Sequence, residues 1–224
     1  MIWESSNEKL LGIVIDKTLN FNEHLNILCK KVGAKVTALA RLVKIIPLEK
    51  KRLLMKVFIE SQFSYCPLIW MFCSRKMNTK INYIHERALR LVYDDYNTSF
   101  EGLLKRDNAV SIHHRNIQKV AIEMYKVINN LCPEFIQSLF YQKETRTKSK
   151  AIFHRPNVNS VYNGEQSLRS FGPIVWDIMI PEEIKRISDF NDFKKNISEW
   201  VPENCPCRLC KEYVPELGFV TLYE

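Results

Sequence analysis

Three cysteines lie within six residues of one another, in the sequence CPCRLC: Cys205, Cys207 and Cys210. Cysteine sulfurs are preferred ligands of Zn²⁺ in structural sites, but such a site normally has four ligands. Cys132 and His154 are candidates for the fourth ligand, although neither stands at a zinc-finger spacing from the three cysteines. The alternatives are a group of reduced thiols or a site that a second chain completes. The three cysteines are therefore a candidate zinc site whose fourth ligand is unassigned.

Histidines at two other places bear on metal or acid–base chemistry. His113 and His114 stand beside Arg115 at the predicted start of a helix. A histidine pair can ligate a metal or titrate near neutral pH, but polar surface side chains or a phosphate contact are the simpler interpretation. His85 follows Ile84 at a half-buried helical position, and we predict that it is a hydrogen-bonded structural histidine.

The sequence offers no catalytic set of residues. Asp94 and Asp95 are adjacent, and paired aspartates bind catalytic Mg²⁺ when they lie on a tight turn between strands. Here the pair follows a predicted helix and precedes NTSF, which favours a helix end and a loop. The six glycines form no phosphate-binding loop, and no Ser-His-Asp arrangement is recognisable. We therefore assign no catalytic residue and predict that the isolated chain is inactive.

The net charge of +8 is concentrated in residues 29–56, which we call the basic segment. This segment has nine basic residues and one acidic residue, Glu49, so its own net charge is +8 and the rest of the chain sums to zero. Such one-sided charge is the electrostatic footprint of a surface that binds polyanions. The alternative is an amphipathic helix with a solvated basic face, although solvated faces usually mix both signs.

The basic segment also has the apolar period of a helix, which predicts one long helix ended by Pro47 and a second helix in LEKKRLL. The apolar stripe consists of Leu25, Leu28, Val32, Val36, Leu39, Val43 and Ile46. We predict that basic residues of this segment and of a later helix contact nucleic acid: Lys30, Lys31, Arg41, Lys44, Lys51, Arg52, Arg87 and Arg90. Nearby rings offer stacking surfaces for bases, but burial in the core is the favoured interpretation: Tyr65, Trp70, Phe72, Tyr83 and Tyr93.

Other sequence signals address the compartment. No apolar run reaches the length of about eighteen residues that a membrane span needs, and MIWESSNEK lacks the pattern of a secretory signal. We therefore expect an intracellular protein, nuclear or cytoplasmic and not secreted, with no membrane partner and with reduced cysteines.

The apolar pattern predicts a mainly α fold: a helical bundle with a short N-terminal strand at residues 10–15 and a small α+β C-terminal module. The strand is apolar at nearly every position, which is typical of a strand covered on both faces. Further helices are predicted over residues 61–73 (interrupted at Pro67), 78–93 (capped by Asn78), 99–106, 111–131 and 133–140. The module's predicted core is Phe171, Val175, Trp176, Phe190, Phe193 and Trp200.

We accordingly divide the chain into four parts. A strand and turn occupy residues 1–20, and a helical domain occupies residues 21–140. A small module follows a polar linker within residues 141–200, and a cysteine-containing tail occupies residues 201–224.

Five blocks in fixed order resemble the C-terminal region of reverse transcriptases from non-LTR retrotransposons of the LINE or jockey type. The blocks are LLGIVIDKTLNFNEHLNILCKKV, FIESQFSYCPLIWMF, NTKINYIHERALRLVY, LLKRDNAVSIHHRNIQKVAIEMYKV and SFGPIVWDIMIPEEIK. The resemblance implies that residues 1–20 are a remnant of the junction between palm and thumb, and that the helical domain is thumb-like.

The resemblance also implies partners and limits. The partners would be template–primer nucleic acid, held by its backbone, and the polymerase palm that precedes this region in the family. The family's catalytic aspartates and their Mg²⁺ belong to that palm and are not transferred to Asp94 or Asp95, so Met1 is expected to be a start within a longer or decayed reading frame. The alternative function is a non-catalytic helical module that binds proteins, either domesticated or an inert remnant of an element.

Overall fold

Residues 7–16 form a two-stranded antiparallel hairpin where the sequence predicts a single strand over residues 10–15. β1 spans Asn7–Leu10 and β2 spans Ile13–Asp16. The turn residues Leu11 and Gly12 have φ of 48° and 86°, and two successive positive φ values are the backbone of a type I′ turn. The prediction of one strand was wrong because Leu11 reads as apolar strand sequence although its backbone is left-handed, a conformation that only glycine adopts readily.

The computed structural model describes residues 7–142, 152–157, 164, 167–202, 205–207, 209–214 and 218–221. It confirms the mainly α fold class with a short strand region ahead of the helices. The chain forms two compact units, residues 1–113 and residues 114–224. The division differs from the predicted boundary at residue 140, and most of the predicted linker lies outside the described residues.

The first unit continues from the hairpin with helices that pack around one core. These are α1 (Asn22–Leu42), α2 (Leu48–Leu54), a π-helical turn (Met55–Ile59), a 3-10 turn (Glu60–Ser64), α3 (Pro67–Trp70), α4 (Arg75–Tyr93) and α5 (Phe100–Asp107). Helices α1 and α4 make the most extensive contact of the unit. Their apolar stripes meet in a core that includes Leu25, Val32, Val36, Ile81, Ala88, Leu89 and Val92.

Some helices begin or end at residues other than those predicted, and prolines and N-cap residues account for the differences. Helix α1 ends at Leu42, because Pro47 excludes the residue before it from helical φ and ψ and clashes with the carbonyl four residues earlier. Pro67 does not interrupt a helix but begins α3, where its missing N–H costs no hydrogen bond. Ser74, rather than Asn78, caps α4 by accepting a hydrogen bond from the Met77 amide at 3.4 Å.

The second unit contains the remaining described elements. These are α6 (Ile112–Ile128), α7 (Glu134–Gln137), α8 (Leu168–Ile174), a π-helical turn (Val175–Met179), α9 (Glu182–Lys185), α10 (Phe190–Glu199) and the antiparallel strands β3 (Lys211–Val214) and β4 (Gly218–Thr221). Helices α6 and α7 are shorter than predicted. The division between the units falls in the first turn of α6, so nearly all of this helix belongs to the second unit.

Aromatic packing joins α6 to the C-terminal helices. Tyr125 of α6 stacks on Phe193 of α10 with ring centroids 4.1 Å apart, and Trp176 lies 6.0 Å from Phe193. The Tyr125 hydroxyl donates a hydrogen bond to the Ser188 carbonyl at 2.5 Å. These contacts explain why α6, which the sequence assigned to the helical domain, groups with the C-terminal module. Four of the six predicted core residues are buried, and Phe190 and Trp200 are partly exposed.

Candidate metal centre and basic surface

The three cysteines of the CPCRLC sequence meet a histidine in the structure. The Sγ atoms of Cys205, Cys207 and Cys210 and a ring nitrogen of His113 all lie within 4.8 Å of one another. All four residues are buried, with no more than 7 % of their surface exposed. His113 is therefore the structure's candidate for the fourth ligand that the sequence left unassigned, and we call these four residues the metal cluster.

Local structure brings the two parts of the metal cluster together. His113 lies in the first turn of α6. The Cys210 amide donates a hydrogen bond to the Cys207 carbonyl at 3.1 Å, which holds the backbones of these two cysteines close together. Gln118 of α6 donates from Nε2 to the Trp200 carbonyl at 2.6 Å, and this bond ties the chain that leaves α10 to the start of α6.

The chemistry of the donors fits a metal ion such as Zn²⁺. Hydrogen bonding with Cys207 raises the pKa of the Cys205 thiol, and hydrogen bonding with Cys205 raises the pKa of Cys210; burial raises both further. Without a cation these thiols stay protonated at neutral pH, whereas a coordinated divalent cation deprotonates them. The metal cluster can therefore hold a metal through three sulfurs and one imidazole nitrogen.

The two residues considered from sequence as the fourth ligand lie outside the group that the structure brings together. Cys132 is half-buried and His154 is exposed, and neither belongs to the metal cluster. A signal for His113 was present in the helical period, because Ile117 and Val120, four and seven residues later, are buried on the same face. The sequence could not show that His113 meets the three cysteines, because they lie far apart along the chain and no motif spacing connects α6 to the cysteines.

Most of the predicted nucleic-acid contacts are accessible. Lys30, Lys31, Arg41, Lys44 and Arg87 are exposed, and Lys51 is half-buried. Within the described part of the chain, none of these six makes an ion pair. They do not share one helix face, because α1 ends at Leu42; they follow one another along α1, the turn after it, α2 and α4.

Two of the predicted contacts are engaged inside the first unit. Arg52 donates from Nε to Asp107 Oδ1 at 2.8 Å, and this ion pair raises the pKa of Arg52. Arg90 donates to Glu86 Oε1 at 2.6 Å across one turn of α4. Both arginines are therefore already engaged with carboxylates of the first unit.

The other titratable residues singled out from sequence have structural roles. Asp94 ends α4 in a left-handed conformation. Asp95 accepts hydrogen bonds from the Asn97 and Thr98 amides and pairs with Arg106 at 3.2 Å, which confirms the predicted helix end and loop. The buried His85 lies with Nε2 3.3 Å from Glu60 Oε1, as predicted for a structural histidine.

None of the helices in the described ranges is both long and apolar enough to span a membrane. Comparison of the chain with protein-family models, with curated proteins and with solved structures finds no match.

Proposed function

We propose that this chain binds the backbone of nucleic acid through the basic segment, in the manner of a thumb region of a retrotransposon reverse transcriptase, and that it performs no catalysis itself. The observation that carries the proposal is the accessibility of the one-sided charge: Lys30, Lys31, Arg41 and Lys44 are exposed and make no ion pair among the described residues. When such side chains neutralise phosphates, counterions that were condensed on the nucleic acid are released into solution. This release drives binding without sequence preference.

Reversing three of these charges tests the proposal. The triple variant Lys30→Glu, Arg41→Glu, Lys44→Glu is expected to lose detectable binding to an RNA–DNA hybrid at low salt, measured by fluorescence anisotropy. The control variant Lys105→Glu, Lys194→Glu, Lys195→Glu changes the net charge equally at exposed positions outside the basic segment and should bind within about threefold of wild type, a difference of less than 1 kcal/mol. Equal affinities of the two triple variants would overturn the proposal.

A helical module that binds an acidic protein is the second candidate function. Large apolar side chains are exposed in and beside the basic segment, among them Ile45 at 80 %, Leu53 at 53 % and Phe58 at 51 %. Apolar surface mixed with basic charge fits a protein partner better than a phosphate backbone. This function predicts no binding of the hybrid at physiological salt by the wild-type chain, which is the result that separates the two candidates.

We also propose that the ion of the metal cluster is Zn²⁺ in a structural role. Three thiolates and one imidazole form a closed Cys₃His donor set, which favours Zn²⁺ over Mg²⁺ and leaves no open position for catalysis. Zn–S bonds of about 2.3 Å in a tetrahedron place sulfurs about 3.8 Å apart. The observed spread of 4.8 Å or less needs a contraction of about 1 Å, which side-chain rotation of the four ligands can supply.

The adjacent histidines give a sharp test of the zinc proposal. The purified wild-type chain is expected to contain one zinc per chain by elemental analysis, and Co²⁺ substitution should give the visible absorption of a tetrahedral site with thiolate ligands. His113→Ala and Cys207→Ser each remove a ligand and should lower the zinc content well below one. The controls His114→Ala and Cys132→Ser should keep one zinc. Loss of zinc from His114→Ala with retention in His113→Ala would contradict the assignment.

A further inference from the structure

A cavity of about 500 Å³ lies between the hairpin, α1 and the 3-10 turn of the first unit. Its lining residues are Lys9, Gly12, Val14, His24, Ile27, Leu28, Lys31, Ser61, Gln62 and Tyr65. We call it the hairpin cavity. Its volume falls in the range of sites that bind small organic ligands. Exposed lining residues, among them Lys9, Lys31 and Tyr65, show that it opens to solvent.

The charge of the hairpin cavity favours an anion. Lys9 from β1 and Lys31 from α1 line it, and none of the described lining residues is an aspartate or a glutamate. Neither lysine makes an ion pair with any residue in the described ranges. Ammonium groups that have no ion-pair partner attract anionic groups such as phosphate or carboxylate.

The walls of the hairpin cavity are suited to a flat ring with polar edges. Val14, Ile27 and Leu28 supply apolar surface, and the Tyr65 ring is 52 % exposed. The Tyr65 hydroxyl donates to the Leu11 carbonyl, which fixes the ring against the hairpin turn. A tyrosine held in this way is a stacking surface for a nucleobase.

Polar groups complete the lining. His24 is 8 % exposed, and its Nδ1 lies at the 3.5 Å limit of a hydrogen bond from the Val14 amide. Within the described residues, Nε2 of His24 has no hydrogen-bond partner. Burial of this ring lowers its pKa, which favours the neutral form. Because Nδ1 accepts from the Val14 amide, the proton of the neutral ring lies on Nε2, which is a donor. The Gln62 side chain adds an amide with both a donor and an acceptor.

We propose that the hairpin cavity binds one nucleotide, with the phosphate on Lys9 and Lys31 and the base stacked on Tyr65. The ligand is either a free nucleoside monophosphate or one nucleotide unit of the strand that the basic segment holds. The second source rests on the proposed function, since Lys31 belongs to both the basic segment and the cavity. The first source does not depend on it.

Titration of the full chain against 2-aminopurine deoxynucleoside monophosphate, and against a single strand with one 2-aminopurine, tests this proposal and separates the sources. Stacking on Tyr65 is expected to quench the fluorescence. Tyr65→Ala should weaken binding of the mononucleotide about fivefold or more, and Lys9→Ala should weaken it similarly. Tyr65→Phe keeps the ring and should bind within about twofold of wild type, and far-UV circular dichroism checks that each variant is folded.

The outcomes separate this site from the basic segment. The variant Lys30→Glu, Arg41→Glu, Lys44→Glu should leave mononucleotide quenching within about twofold of wild type, since none of the three lines the cavity. Quenching in the strand only, lost in Tyr65→Ala, would assign the strand as the source. No quenching with either probe, or quenching that Tyr65→Ala and Lys9→Ala leave unchanged, would overturn the proposal even if the basic segment binds nucleic acid. Inorganic phosphate that competes as well as the mononucleotide would also overturn it, because the base would then contribute nothing.

Discussion

The buried carboxylate of Asp107 organises a small polar network at one end of α5. Arg52 and Tyr93 both donate to its Oδ1, at 2.8 and 2.6 Å. Arg52 also donates to the Asp107 carbonyl at 3.2 Å, and the Arg106 guanidinium lies over the Tyr93 ring at 4.6 Å. Burying a charge costs free energy wherever its hydrogen bonds are missing, so each donor to Oδ1 contributes to stability.

Removal of the Tyr93 hydroxyl tests that network. Tyr93→Phe is expected to lower the free energy of unfolding by about 1–2 kcal/mol at pH 7, because it leaves a buried carboxylate with one donor fewer. Urea denaturation measures the change. Tyr83→Phe removes a hydroxyl from a ring that is 64 % exposed and should change the free energy by less than about 0.5 kcal/mol. Equal effects of the two substitutions would contradict the role assigned to Tyr93.

The Tyr93 hydroxyl should also make the free energy of unfolding depend on pH. Burial and the hydrogen bond to Asp107 raise the pKa of Tyr93 to about 12 from its ordinary value of 10.0. Folding therefore favours the protonated phenol, and its contribution to stability is complete below pH 10 and is lost as the pH rises through 12. The difference in stability between wild type and Tyr93→Phe should shrink over this range. A constant or growing difference would show that the phenol is not perturbed.

At the residue scale, the sequence could not predict the roles of residues whose partners lie far away along the chain. The helical apolar pattern correctly predicted a structural role for His85, because the neighbouring residues alone show that it lies at a partly buried helical position. The pairing of Arg52 with Asp107 spans 55 residues, and the meeting of His113 with the cysteines spans still more. Tertiary packing decides such pairs, and local spacing carries no signal of them.

At the scale of elements, apolar period predicted the existence of most helices and local chemistry decided their ends. The period placed α1, α4 and α6, and Ser99 caps α5 as predicted, with its hydroxyl accepting from the Gly102 amide at 3.2 Å. The hairpin turn was hidden because a leucine occupies a left-handed position. The start of α4 was misplaced because Ser74 and Asn78 are both suitable caps, and only the backbone shows which one is used.

The start of α4 gives an element-scale prediction. Ser74→Ala should lower the free energy of unfolding by about 0.5–1 kcal/mol, because an N-cap hydrogen bond is lost. Asn78→Ala should change it by less than about 0.5 kcal/mol or increase it, because Asn78 lies inside the helix, where alanine is the better helix former. Thermal or urea unfolding of both variants decides the matter. A larger loss of unfolding free energy in Asn78→Ala than in Ser74→Ala would indicate that Asn78 is the N-cap.

At the scale of the whole molecule, charge and metal-binding capacity occupy different parts of the sequence. The entire excess of positive charge lies in residues 29–56 of the first unit, and the remainder is balanced. The sulfur ligands of the metal cluster lie in the second unit, beyond α10. Composition alone therefore located the candidate nucleic-acid surface, while the complete metal cluster required the fold.

The salt dependence of hybrid binding tests whether the basic segment holds the phosphate backbone. For a double helix, the logarithm of the binding constant falls with the logarithm of the salt concentration by about 0.9 for each phosphate that is neutralised. We predict a slope of about −4 for the wild-type chain and a slope reduced in magnitude by two to three for the variant Lys30→Ala, Arg41→Ala, Lys44→Ala, at about 0.9 per lost contact. A wild-type slope near zero, or an unchanged slope in the variant, would contradict backbone binding by the basic segment.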